Sequence, residues 1–261
     1  MALNEALKDF SIEGKAALVI GAELPLGAAA AQILAEAGAN VMLASQEPGT
    51  GDALKELAKK IGALGRKAAV KIQSAITRAD LSACVDLTVK QLGSLDIAVN
   101  ALDVPFFAPA EASDDTAFEK VLENNFKTVW MACQEAGRSM VQHGGGVIVN
   151  LTSIMAERGV PNGSLYAAAQ AAVLSLTRSL ALEWARKGVR VNAIEMGWVE
   201  DERSPAVKDE EFAQTLVKYL PEQRLLKPEE LGGALLYLVS PAAAYVTGQS
   251  VAIDGGLLCR V

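Results

Sequence analysis

The stretch Ser153 to Gln170, SIMAERGVPNGSLYAAAQ, decides how the rest of the chain is read. It follows an apolar run, Val147-Ile148-Val149-Asn150-Leu151, of the kind that forms a buried strand, and it leads into a long Ala-rich helix beginning near Ser164. Ser153 therefore falls at a strand's carboxyl end and Tyr166 on the first turns of a helix. Ligands of open α/β sheets bind at the carboxyl ends of the strands, so a hydroxyl and a phenol in these places can converge on one substrate oxygen. Gln170 lies one turn beyond Tyr166, on the same face.

Outward from that stretch, short apolar runs alternate with amphipathic ones. Strands are expected over Lys15–Ile20, Asn40–Ala44, Lys67–Ile72, Leu95–Asn100, Val147–Leu151, Val189–Ile194 and Gln249–Ile253. Helices are expected over Leu26–Ala37, Gly51–Leu64, Arg78–Leu92, Ala117–Gln142, Ser164–Lys187, Phe212–Lys218 and Pro228–Leu238. Alternation of this kind predicts a parallel sheet with helices on both faces.

Composition narrows the function. A chain of 261 residues, 51% hydrophobic, buries a full core, and no linker divides it. A net charge of −7 with no basic cluster argues against nucleic acid as a partner. The amino terminus MALNEALKDFSIEGK has no uninterrupted apolar run, so neither a signal peptide nor a membrane span is expected there. Cys84, Cys133 and Cys259 have no metal-ligand spacing, and their odd, scattered number fits a reducing cytoplasm. His143, the only histidine, precedes a Gly-rich turn and supports neither a triad nor a metal site.

The first strand-to-helix turn, Gly21-Ala22-Glu23-Leu24-Pro25-Leu26-Gly27, is where a dinucleotide's pyrophosphate would lie. Gly21 and Gly27 would allow the tight turn and close backbone approach. Pro25 excludes a positive φ and brings no N–H, yet it suits the first position of a helix, so an ordinary turn fits the segment equally well. The second strand ends in Ala44-Ser45-Gln46, offering Ser45 to an adenosine ribose; Glu47 is followed by Pro48-Gly49 and reads as a solvated loop. NAD, NADP and no dinucleotide at all remain open.

Ser153 and Tyr166 resemble, at the family's own spacing, the active site of the short-chain dehydrogenase/reductase family, a Ser followed by Tyr-x-x-x-Lys; Gln170 stands where that family has its Lys. Of the family's Thr-Gly-x-x-x-Gly-x-Gly the chain keeps Gly21 and Gly27, with Ile20 for the Thr and Pro25 for the middle Gly. Ser74 aligns with the family's Asp after the third strand. Asn100-Ala101-Leu102-Asp103 aligns with its Asn-Asn-Ala-Gly, which puts Asp103 near a phosphate cofactor if it points inward and has no meaning if it is exposed. Asn125 matches the helical Asn that bends a helix and supports a proton relay through water. Asn192 to Gly197 follows Asn-x-x-x-Pro-Gly with Met196 for Pro, and the tail from Tyr245 to Gly256 matches closely.

The resemblance implies one Rossmann-like, doubly wound α/β domain over residues 1–261, with a substrate lid at about 198–221. It assigns catalysis to Ser153, Tyr166 and Asn125, with Gln170 at the Lys position. It assigns cofactor contacts to Gly21, Gly27, Ser45, Asn100 and Tyr166. It also implies a homodimer or homotetramer pairing through the two long helices.

Gln170 is the departure that matters. An ordinary phenol has a pKa of about 10, so little tyrosinate exists at neutral pH unless a nearby cation lowers it. Neutral Gln cannot do so, although its amide can copy the donor role of Lys toward a ribose. Oxidation of an alcohol, which needs tyrosinate, should therefore suffer more than reduction of a carbonyl, in which neutral Tyr166 gives up a proton. Two readings follow. One is an oxidoreductase moving hydride between NAD(P)(H) and a carbonyl or alcohol, favouring reduction. The other is a protein of the same fold with lost or altered dinucleotide binding, serving as a scaffold or as a non-redox catalyst through Ser153 and Tyr166.

Overall fold

The computed structural model describes residues 7–73, 77–202 and 204–260. Ser74, aligned above with a family Asp, lies outside them, as do the first six residues. Seven parallel strands form one sheet in the order β3-β2-β1-β4-β5-β6-β7. They are β1 (Ala16–Ile20), β2 (Asn40–Ser45), β3 (Ala68–Ile72), β4 (Ile97–Asn100), β5 (Gly146–Ser153), β6 (Val189–Met196) and β7 (Ser250–Ile253). The order reverses between β1 and β4, and the crevice beyond their carboxyl ends is where such sheets bind ligands.

The helices are α1 (Pro25–Glu36), α2 (Gly51–Ala63), α3 (Arg78–Leu92), α4 (Asp115–Leu122), α5 (Thr128–Gln142), α6 (Ser164–Trp184), α7 (Pro205–Lys208), α8 (Glu210–Tyr219) and α9 (Gly232–Val239). Apolar side chains of α1, α2 and α9, among them Leu34, Ile61 and Leu235, cover one face of the sheet with Val19, Leu43 and Val149. Those of α3, α5 and α6, among them Leu81, Met140 and Val173, cover the other with Leu18, Met42 and Ile148. Alternate residues of each strand serve opposite faces, which is why the strands read as unbroken apolar runs. The segment Ser164–Lys187 is apolar and long enough to cross a bilayer, but its buried stripe, Tyr166, Gln170, Val173 and Thr177, faces this core.

Two expected helices differ. Ala117–Gln142 is not one helix: α4 and α5 are separated by a π-turn at Glu123–Lys127. The buried Asn125 amide donates to Val121 O at 3.0 Å and to Val104 O at 3.1 Å, competing with the regular ladder. Pro228–Leu238 begins as a 3-10 turn, Pro228–Leu231, and becomes α9 only at Gly232. Strand β5 is longer than its apolar run and ends on Ser153 itself.

Candidate active site

Ser153 is the last residue of β5, and its hydroxyl accepts from Met155 N at 3.3 Å, which anchors the 3-10 turn Ile154–Ala156. Tyr166 stands on the first turn of α6, 2% exposed. Its hydroxyl donates to Asp103 Oδ1. The Gln170 amide donates to the same oxygen at 3.2 Å, while its Oε1 accepts from Thr152 Oγ1 at 2.6 Å. Thr152 thereby sets which way the buried amide faces, and the nitrogen is committed to Asp103.

Asn125 does not stand open to a water relay. Its Oδ1 accepts from Val104 N at 2.9 Å and its amide is taken by two carbonyls, so it clamps the backbone next to Asp103. A weak contact from Gln170 Nε2 at 3.5 Å joins the two. Asn100 is turned away from the cleft: its amide donates to Asn150 Oδ1 at 2.7 Å and to Cys133 Sγ at 3.3 Å, inside the packing of β4, β5 and α5. Ser45 is engaged by its own loop, 2.7 Å from Thr50 Oγ1 and accepting from Glu47 N at 3.0 Å, and its hydroxyl also acts on the Glu23 carboxyl.

These contacts decide the electrostatics of Tyr166. Burial, then the charge of Asp103, then the hydrogen bond donated to it, hold the phenol well above its ordinary value; Ser153 and Gln170 pull weakly the other way. Tyr166 is therefore a neutral phenol at physiological pH, the opposite of what a neighbouring ammonium would make it.

The cleft around this group is lined by Phe107, Met155, Met196 and Trp198, and by the polar Asp201 and Ser204. Tyr166, Phe107, Trp198 and Phe212 form a continuous aromatic chain, with ring centroids 6.1, 5.9 and 5.7 Å apart.

The dinucleotide crevice can be tested against the residues present. Gly21 has φ +85°, and a Cβ there would lie 2.7 Å from Ala101 O; a Cβ on Gly27 would lie 2.0 Å from Gly21 O. Both glycines thus permit the close strand–helix approach that brings backbone to a pyrophosphate. Pro25 occupies the first position of α1, and the N–H groups of Leu26 and Gly27 after it have no intrahelical acceptor. Glu23 Oε2 and Gln46 Nε2 are buried without partners. An anion-accepting helix end beside an orphaned donor and an orphaned acceptor fits the adenosine half of a dinucleotide.

No motif in the sequence marks Thr152 or Glu23 as part of the site, although Glu23 sits between the two retained glycines. Asp103, which the resemblance sets against a phosphate cofactor or leaves on an exposed loop, is instead the partner of Tyr166.

Residues 21–258 match the family model described as enoyl-(acyl carrier protein) reductase. Galactitol 2-dehydrogenase (L-tagatose-forming) of Cereibacter sphaeroides is 34% identical over 95% of this chain and 96% of its own. Cis-4-hydroxycyclohexanecarboxylate dehydrogenase of Sinomonas cyclohexanicum is 36% identical over 93% of this chain and 96% of its own. The chain belongs to the short-chain dehydrogenase/reductase family. A crystal structure of gluconate 5-dehydrogenase from Burkholderia cenocepacia J2315, in complex with NADP and tartrate, superposes with a TM-score of 0.91 at 31% identity, covering 98% of this chain and 100% of that one. This short-chain dehydrogenase/reductase is accordingly an oxidoreductase acting between NAD(P)(H) and a carbonyl or alcohol, and the non-redox alternative is not favoured.

Proposed function

We propose that the protein works chiefly as a carbonyl reductase, with Tyr166 as proton donor and Ser153 steadying the substrate oxygen. The observation that carries this reading is the buried, neutral phenol of Tyr166 at the carboxyl end of β5, beside Ser153 and held by Asp103. When bound, NAD(P)H supplies the hydride to the carbonyl carbon. Tyr166 supplies the proton to the carbonyl oxygen, its O–H turning from Asp103 to the substrate, and solvent reprotonates the phenol after the alcohol leaves. The negative charge of Asp103 opposes tyrosinate, so the reverse reaction starts from a scarce state at neutral pH.

Gln170 and Asn125 act as positioning residues. Thr152 and Gln170 hold Asp103 from one side and Asn125 holds its neighbour Val104 from the other. The aromatic chain over Tyr166 favours an apolar or ring-bearing ketone over a free sugar. Segment 198–221, which carries Trp198 and Phe212, supplies the outer wall and is read as the lid. Exposed Phe118 on α4, Trp130 on α5 and Leu182 on α6 support a homodimer or homotetramer. The unpaired Cys84, Cys133 and Cys259 support a reducing compartment such as the cytoplasm.

The test is oxidation of NADH and of NADPH with a panel of cyclic and aromatic ketones and sugar ketones, in parent, Tyr166→Phe and Ser153→Ala. Reduction of an apolar ketone that falls roughly a hundredfold or more in Tyr166→Phe supports the reading. Turnover that survives Tyr166→Phe overturns it.

A further inference from the structure

We propose that the cleft selects a cationic substrate, a ketone whose ring or short chain carries a protonated or quaternary nitrogen. This rests on the reading of the cleft as a carbonyl-reducing site and adds the charge of what is reduced there. Among the described residues, the lining of the cleft holds two carboxylates, Asp103 and Asp201, and no Lys, Arg or His. Against the family motif the chain has Asp103 for a Gly and Gln170 for the Lys, two changes that both move the site toward negative charge. The fold brings them together, with Gln170 Nε2 at 3.2 Å from Asp103 Oδ1.

The rest of the lining suits a cation as well as a ring. Phe107 and Trp198 are stacked at an interplanar angle of 16°, and Tyr166 lies against Phe107. Aromatic rings attract alkylated ammonium groups through their quadrupoles, most strongly where water is excluded. Met155 and Met196 add polarizable thioethers. Aromatic rings alone would take a neutral ketone equally well; the two carboxylates decide for a positive one, because charge acts strongly in a partly desolvated cleft. The reaction leaves the nitrogen untouched: hydride from NAD(P)H goes to the carbonyl carbon and the Tyr166 proton to its oxygen. An ammonium beside Asp103 also offsets the field that holds the Tyr166 proton in place, so such a substrate eases its own protonation.

Neighbouring cations are spent on other partners. Arg158, just past the lining residues Ile154 and Met155, donates to Leu257 O at 2.7 Å and to the Tyr219 hydroxyl. Arg224 belongs to the adjoining pocket that shares Gly197 and Trp198, where it pairs with Glu230 at 2.6 Å and Glu222 at 2.7 Å. The run that carries Asp201, Glu200-Asp201-Glu202-Arg203, holds three acids and one base, so its net charge is negative too.

The experiment uses the intact protein and three cyclic ketones: 1,1-dimethyl-4-oxopiperidinium, a fixed cation; 4,4-dimethylcyclohexanone, its neutral isostere; and 4-oxocyclohexanecarboxylate, an anion. Each is titrated calorimetrically into the protein with NAD+ or NADP+ present, and each is assayed for reduction with NADH and NADPH. The cation should bind roughly tenfold or more tighter than its isostere, and the anion weakest of the three. In Asp103→Asn and in Asp201→Asn, each checked by melting temperature to be folded, the preference for the cation in binding should shrink to about threefold or less. A cation that binds no tighter than its isostere, or not at all, overturns the proposal, as does tightest binding of the anion or a preference unchanged in both variants. If the cation is preferred in binding but no ketone is reduced with either cofactor, the charge selection stands and the reductase reading falls. If the neutral isostere is reduced with the higher kcat/KM, the reductase reading stands and the charge selection falls.

Discussion

The Tyr166 hydroxyl donates to the carboxylate of Asp103, and this pairing inverts the usual way of activating a tyrosine. An ammonium beside a phenol draws off its proton; a carboxylate keeps the proton in place. Asp103→Asn should therefore lower the Tyr166 pKa and move the pH profile of alcohol oxidation down by about 1 to 3 units. Oxidation rates of a secondary alcohol from pH 7 to 11, in parent and variant, check this.

Gln170→Lys would place an ammonium where Gln170 Nε2 now lies, 3.2 Å from Asp103 Oδ1. The new cation should pair with Asp103 first and neutralise its effect, shifting the oxidation profile by about 1 unit. Combined with Asp103→Gly, the same cation faces Tyr166 without competition and the shift should exceed the sum of the two single changes. Additive shifts would mean that Asp103 and residue 170 do not share the phenol.

Tyr166 also makes a prediction about stability. Its folded pKa lies well above the ordinary 10.0, so the folded state keeps the proton that the unfolded state loses. The contribution is complete below about pH 10 and declines as pH rises from there toward the folded value. Alkaline unfolding of Tyr166→Phe, followed by circular dichroism in urea between pH 9 and 11, should show a shallower fall than the parent.

Glu195 on β6 is buried, with Oε2 unpartnered. Burial, Glu157 and Asp254 raise its carboxyl above the ordinary 4.5, against Ser250 and Arg178. Its stabilising contribution is thus present below pH 4.5 and is lost as pH rises through the folded value. Glu195→Gln should remove this dependence and raise stability at pH 7 relative to the parent, read from paired urea melts at pH 4 and pH 7.

Pro25 sits at the first position of α1, where it favours the helix but offers no N–H. Pro25→Gly should tighten dinucleotide binding several-fold through an added amide donor, while lowering the melting temperature through greater unfolded-state freedom. Calorimetry with NADH and a thermal melt of the same samples separate the two effects.

The sequence by itself determined the sheet and its covering, because parallel strands buried on both faces must be written as continuous apolar runs, and helices beside them as amphipathic ones. It also determined where Ser153, Tyr166 and Gln170 stand, since a strand end and one helical turn are local geometry. The resemblance implied a bend at Asn125, but that the side chain would be spent on the backbone of Val104 rather than left open to water was not legible, because Val104 lies 21 residues away. Nor was the withdrawal of Asn100 from the crevice or the engagement of Ser45 by its own loop, which follow from partners such as Asn150 and Thr50 that only the packed chain supplies. Tertiary structure alone decided the sign of the field on Tyr166 and the placing of Glu23 against Gln46. Charge acts through space at a few ångströms, and the residues concerned are 63 and 23 positions apart in the chain.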